Sequence, residues 1–478
     1  MSYPDTLLFI DGEWTQATSK RTIEVENPST GEIIGKVARA GTADLDKALA
    51  AAEAGFQRWR KNGALEKAAV LRKAAVLIRE RAEDIARNVT LEQGKPLHEA
   101  RAETLLAGDI LEWFAGEAQR TYGRIIPARI HGVSQLVVQE PVGPVLGLTP
   151  WNFPINQTIR KMAAALAAGC SILIKGPEET PSGPAALVQA LHDAGLPAGV
   201  VGLVYGIPAE ISDYCIPHPV IRKVSFTGSV VVGKQLAAMA GLHMKRVTME
   251  LGGHAPVIIT RDTDVAKLAK TFTAFKFRAA GQTCISPNRF LVESPVYDEF
   301  RKAFVEGARG VKVGDGLDGA TQMGPLVNEK RLRSVEALIA EAVESGARIE
   351  TGGRRIGNHG YYFEPTILSQ VTPDMKIMND EPFGPIALLS SFDTLDEAIA
   401  EANRLPVGLG AYAFSRDEAT VNRLCDEVET GMISVNHIGL ALPEVPFGGI
   451  KDSGYGSEGG AEAIQAYLTP KFITRVPG

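Results

Sequence analysis

Cys284 sits in the run RAAGQTCIS, where a stretch with helical periodicity from 263 to 278 gives way to small polar residues, among them Gly281, Gln282, Thr283 and Ser286. A cysteine in a core is a small inert hydrophobe, whereas one in a polar, glycine-containing loop can serve as a nucleophile. Cys170, Cys215 and Cys425 stand within or beside apolar segments and read as inert. Glu250 closes the strand-like run RVTMEL, just before Gly252 and Gly253. A carboxyl there is expected to be buried, and burial raises its pKa towards the range of a general base at neutral pH. Asn152, in TPWNFP, follows another strand-like run and offers an amide to a developing oxyanion. Nucleophile, base and oxyanion donor at strand ends form a set suited to acyl chemistry.

A second group of residues suits a nucleotide. FTGSVVVG (226–233) follows a strand-like run and opens a helix near Ser229. Gly228 and Gly233 would let the backbone approach a phosphate, and a helix N-terminus favours an anion. A plain strand–turn–helix with a serine cap fits the same residues. Lys175 and Glu178 follow the run SILI at a sheet's carboxyl edge, where an acidic side chain can accept from ribose hydroxyls and an ordinary charged surface loop is the alternative. GYGSEG (454–459) matches G-x-G-x-x-G literally, but too few residues follow for a βαβ unit of ~30 residues, and a tight loop is expected there.

These groups need elements to hold them. From 142 to 251, apolar runs at 143–148, 171–175, 202–206, 221–226 and 246–251 alternate with helical stretches. That alternation implies a parallel sheet covered on both faces, with ligands beyond the carboxyl ends of its strands. A second α/β series runs from 252 to about 440, with strands expected at 256–260, 289–293, 347–351, 386–391, 409–414 and 432–436. Before them, helices are predicted at 42–61 (opening at Thr42), 65–88 and 98–119, a charged region with no evident chemistry. Residues 120–140 alternate polar and β-branched types, as a hairpin turning at Gly132 would, and such a hairpin can pair with another subunit.

Composition narrows the class. The 478 residues include 50 basic and 56 acidic ones, a net charge of −6. With no basic stripe, a nucleic-acid partner is not expected. The longest apolar run, 162–174, is too short to span a membrane, and the N-terminus lacks the pattern of a secretory signal. Four cysteines without CxxC spacing and scattered histidines point to a reducing, cytoplasmic setting and to no metal site.

TPWNFP (149–154), the loop around Lys175 and Glu178, FTGS (226–229), MELGG (249–253), GQTC (281–284), EPFGP (381–385) and PFGGIKDSGYG (446–456) together resemble, in order, the motifs of the NAD(P)-dependent aldehyde dehydrogenase superfamily. The resemblance implies a Rossmann-like parallel-sheet NAD-binding domain (1–119 and 142–251), an α/β catalytic domain (252–465) and oligomerisation strands (120–141 and 466–478). It implies a homodimer or homotetramer acting on a small aldehyde. Cys284 would be the nucleophile, Asn152 with the Cys284 backbone N–H the oxyanion donors, and Glu250 the base that activates the deacylating water. Lys175 and Glu178 would hold the adenosine ribose, and Gly228 and Ser229 the pyrophosphate. Glu381 would hold the nicotinamide ribose, with Phe383 and Trp151 beside the nicotinamide. NAD rather than NADP is expected, because the Glu178 carboxylate would repel a 2′-phosphate.

Within the superfamily the chain most resembles succinate-semialdehyde dehydrogenases. Arg160 and Arg278 match the arginines that hold the substrate carboxylate there, a role suited to guanidinium geometry; packing or local ion pairing is the alternative for either. Ala441 stands where those enzymes often offer a serine hydroxyl, Ser286 replaces a second cysteine, and Ser457 replaces an arginine. Glutarate semialdehyde or a neutral aldehyde therefore remains open as substrate. A relative passing its acyl group to coenzyme A is disfavoured by Glu250. A catalytically silent binding protein is disfavoured by Cys284 and Asn152.

Overall fold

The computed structural model describes residues 3–476, so the last two residues of the expected segment 466–478 lie outside the described ones. The first large sheet has eight strands in the order Glu13–Thr15, Leu8–Ile10, Val201–Val204, Ile172–Lys175, Val145–Leu148, Lys223–Gly228, Arg246–Leu251 and Gly454–Tyr455. Its five central strands are parallel and are the five read from the sequence. They are continuous apolar runs because both faces are covered. Val145–Leu148 comes first in the chain yet lies in the middle, so the strand order reverses beside it. That reversal opens a crevice at the carboxyl ends.

Helix Pro154–Ala168 covers one face of this sheet and is buried along its length except at Asn156. Its proline at the first position and Gly169 at its end (φ +94°) set its limits. Two details of the N-terminal helices differ from expectation. Gly41, not Thr42, caps the first one, and the expected 65–88 helix is two, Ala64–Glu80 and Ala82–Gln93, meeting at Arg81.

The second large sheet runs Arg348–Thr351, Thr366–Ser369, Ile386–Phe392, Arg289–Glu293, Pro256–Ile259, Gly410–Phe414 and Met432–Val435. All neighbours are parallel except the first pair. Thr366–Ser369 has no counterpart among the expected strands. A third, antiparallel sheet joins Arg124–Ile126, Ser134–Pro141 and Leu468–Arg475, and its hairpin turns at Gly132 (φ +79°). The C-terminal segment also returns to the first body. Gly454 and Tyr455 pair with Glu250 and Met249, and Ala463, Ile464, Tyr467 and Leu468 join the first core. That core thus takes residues from the stretch 252–465 that was expected to form the catalytic domain. Among the described residues no helix is long and apolar enough to cross a membrane.

Candidate active site

The carboxyl ends of the first sheet's strands and the amino ends of the second sheet's face each other across a cavity of about 570 Å³, lined among others by Trp151, Asn152, Ser229, Glu250, Cys284, Glu381 and Phe383. A second cavity of similar size shares Pro150, Trp151 and Thr227 with it and reaches Lys175, Glu178, Asp213 and Gln235. The sequence-predicted nucleophile, base, oxyanion donor and nucleotide residues thus line two joined cavities.

Glu250 ends its strand fully buried, and neither carboxylate oxygen has a hydrogen-bond partner among the described residues. Burial pushes its pKa up to about 7, with Glu458 adding to the rise and Lys161 opposing it. Gly252 and Gly253 let the neighbouring loops close in. A Cβ on Gly252 would lie 2.4 Å from Glu381 Oε2, and one on Gly253 3.3 Å from the Cys284 carbonyl oxygen. Cys284 is buried, and burial, followed by the Glu250 and Glu381 carboxylates, pushes its thiol well above the usual range. The turn before it is unusual: Ala279, Ala280 and Gly281 all have positive φ (+47°, +53° and +70°). Only glycine fits at 281, where a Cβ would meet the Gly384 carbonyl oxygen at 2.0 Å. Non-glycine residues in this region are rare and are held by their surroundings.

Asn152 is buried and its Nδ2 donates to the Gln282 carbonyl at 3.1 Å. The amide is thereby aimed at the nucleophile's loop, and its second N–H has no other partner among the described residues. A network that sequence reasoning missed lies beneath. Lys161 donates to Thr227 Oγ1 (2.6 Å) and pairs with Glu458, to which Ser225 Oγ also donates (3.2 Å). Lys161 borders the long apolar run and Glu458 sits in the glycine-rich GYGSEG, so neither had a sequence signal beyond a charge in an apolar or tight setting.

The residues present fit a dinucleotide. Lys175 ends its strand and pairs with Glu178 at 2.6 Å on the wall of the second cavity. Ser229 caps helix Val230–Leu242, its Oγ accepting from the Val232 N–H, so the helix's positive end faces the first cavity. Gly233 serves packing instead of phosphate approach, since a Cβ there would lie 2.2 Å from a Leu251 methyl. Gly228 is hemmed in by its neighbour, since a Cβ there would lie 2.4 Å from Phe226 Cζ. Glu381 is half-buried, and its Oε1 lacks a partner among the described residues. It is an acceptor in want of a hydroxyl, and desolvation pushes its pKa up to about 8. Phe383, held at φ +44°, sets its ring edge-on to Trp151 at 5.6 Å.

The two arginines differ. Arg160 is buried and gives its terminal nitrogens to the carbonyls of Glu458 (3.2 Å), Ala441 (3.2 Å) and Leu442 (3.5 Å). Arg278 has a side chain 41% exposed, approaches Glu99 only to 3.9 Å and lies over the Phe153 ring at 5.4 Å. Its guanidinium donates no hydrogen bond among the described residues. Ser457 accepts from the Phe447 N–H (3.1 Å) and donates to the Gly459 carbonyl (2.9 Å), so it staples its own loop. Ser286 Oγ accepts from the buried Lys276 ammonium at 2.9 Å. Of the cysteines read as inert, Cys170 and Cys215 are buried, while Cys425 is exposed on helix Glu418–Glu427.

The profile of the aldehyde dehydrogenase family matches residues 14–473. A 4-(hydroxymethyl)benzenesulfonate dehydrogenase of Comamonas testosteroni is 45% identical over 98% of this chain and 97% of its own. The crystal structure of succinate-semialdehyde dehydrogenase from Burkholderia pseudomallei superposes with a TM-score of 0.96 at 40% identity, covering 99% of this chain and 98% of that one. That of an Escherichia coli NADP-dependent enzyme gives 0.97 at 39% identity, covering 99% and 98%. With Cys284, Glu250 and Asn152 gathered at the junction of its two large sheets, the chain belongs to the aldehyde dehydrogenase family, whose members are oxidoreductases that act on aldehydes with NAD or NADP.

Proposed function

We propose that the protein oxidises an aldehyde carrying an anionic group at its far end, with a semialdehyde such as succinate semialdehyde as the type substrate and NAD as the acceptor. Cys284 adds to the aldehyde carbon. Asn152 and the Cys284 backbone N–H stabilise charge on the oxygen that is absent from the ground state. Bound NAD supplies the hydride acceptor, held by Lys175, Glu178, Ser229 and Glu381. Glu250 deprotonates the water that releases the acid from the thioester at Cys284.

The observation that carries the anionic substrate is Arg278. It is a half-exposed guanidinium with uncommitted donors, six residues before the nucleophile. Arg160 assists from behind by fixing the carbonyls of Ala441 and Leu442. A guanidinium pairs with a sulfonate as readily as with a carboxylate, and the Comamonas relative is named for a sulfonate-bearing compound, so a sulfonated aldehyde is the second reading. NAD is favoured over NADP because Glu178 and Asp213 both line the ribose cavity and would repel a 2′-phosphate. The test is initial rates with NAD on succinate semialdehyde, a sulfonated benzaldehyde and butanal. One of the two anionic aldehydes should exceed butanal by at least about tenfold in kcat/KM. A preference for butanal would remove the anionic-substrate reading and leave the aldehyde oxidation.

A further inference from the structure

Three charged residues from the N-terminal helical region, where sequence offered no chemistry, reach the walls of the site. Lys95 is fully buried in the link before helix Leu97–Glu117. Its ammonium donates to Glu103 Oε2 at 2.6 Å and to the main-chain carbonyl of Asn152 at 2.8 Å. Glu103 Oε1 in turn accepts from the backbone N–H groups of Ile155 and Asn156, both at 3.0 Å. These are orphan donors of helix Pro154–Ala168, and a carboxylate complements that helix end. Lys95 also lies 3.9 Å from the centre of the Phe153 ring. Residues 152–156 are therefore gripped at a carbonyl, a ring and two amides. Glu99, one turn before Glu103 on the same face, accepts at 2.9 Å from the N–H of Ala279, the first of the strained residues leading to Cys284.

We propose that Lys95 and Glu103 are positioning residues for the oxyanion site. They hold the Asn152 main chain so that its amide meets the nucleophile's loop, and Glu99 fixes the opposite wall from the same helix. Taking a Lys–Glu pair out of water is costly, and well-packed apolar residues often serve stability as well. What apolar residues cannot supply is the set of directed contacts to one carbonyl and two N–H groups. The proposal rests on Asn152 acting as oxyanion donor.

A mutant cycle read by the pre-steady-state NADH burst tests it. Lys95→Met should lower the burst rate about 10- to 100-fold while the Kd for NAD stays within about twofold, since Lys175, Glu178, Ser229 and Glu381 sit on other loops and only Trp151 neighbours the gripped segment. In an Asn152→Ala background the same change should cost less than about threefold, because the group it positions is gone. Glu103→Gln keeps the shape and one acceptor oxygen, and covers the case in which Lys95→Met fails to fold. It should show the same dependence on Asn152. Equal losses in both backgrounds, or an unchanged burst, would overturn the positioning role. An Asn152→Ala variant with a wild-type burst would instead remove the oxyanion assignment, and the positioning role with it.

Discussion

Burial and the Glu250 and Glu381 carboxylates push the Cys284 thiol pKa up, which disfavours its thiolate. That argues for assigning Glu250 to the water and not to the thiol. Alkylation of Cys284 by iodoacetamide should accelerate in Glu250→Gln, since removing the negative neighbour lowers the thiol pKa; slower alkylation would make Glu250 the base for the thiol instead. For deacylation the sign is opposite. In the proposed role the working form of Glu250 is the carboxylate, and its folded pKa is raised to about 7, so that form dominates above this value and shrinks below it. Single-turnover acid release should rise with pH and level off above neutrality. Glu250→Gln should keep the NADH burst, lose the inflection and slow steady turnover by roughly 10²- to 10⁴-fold. A charge-assisted bond is worth ~1.5–3 kcal/mol, so Arg278→Ala should cost roughly 10- to 150-fold in kcat/KM on an anionic aldehyde. Butanal uses the same thiol and base and should change little. Equal losses on both would make Arg278 structural.

At the scale of elements, the proposed preference for NAD rests on strand ends. Ile172–Lys175 delivers Lys175 and, one loop on, Glu178 to the second cavity. Glu178→Ser should raise kcat/KM with NADP relative to NAD, read from initial rates with each. A wild type that already prefers NADP would show that Asp213 and Glu178 do not set the choice. What could be read in advance follows the same physics. The five parallel strands of the first sheet were legible because burial on both faces makes each an apolar run ending at Gly, Pro or a polar residue. Cys284, Glu250 and Asn152 were legible because each breaks the pattern of its segment. Thr366–Ser369 was missed because four residues between loops show no period, and its pairing with Ile386–Phe392 is tertiary. Leu8–Ile10 was missed for the same reason, being three residues whose place between Glu13–Thr15 and Leu203 is set by tertiary pairing. Glu99 and Glu103 looked like the solvated face of an amphipathic helix. Only the packing of that helix beneath residues 152–156 and 279 buries them.

The whole molecule joins the carboxyl ends of one sheet, which place Glu250 and the residues proposed for the nucleotide, to the amino ends of the other, whose preceding loops place Cys284 and Glu381. The C-terminal return ties the halves together, because Gly454 pairs with Glu250 itself and a Cβ at 454 would lie 1.9 Å from the Met249 carbonyl oxygen. The same return then forms the outer strand of the antiparallel sheet, Leu468–Arg475. That sheet has two open edges, and Tyr122, Ile125, Ile130 and Phe472, on or beside it, are 74%, 82%, 70% and 56% exposed. Open edges and clustered apolar side chains are what a single soluble chain suppresses, and a second copy is the partner that would cover them. The protein is therefore expected to be a homodimer or homotetramer through this sheet. Light scattering should return a multiple of the 51.1 kDa chain mass for wild type. Ile125→Lys combined with Phe472→Lys places charge on the apolar side chains without touching either cavity, and should shift the mass downwards while NAD binding persists. A wild-type mass of one chain would show that the exposed sheet serves no self-association.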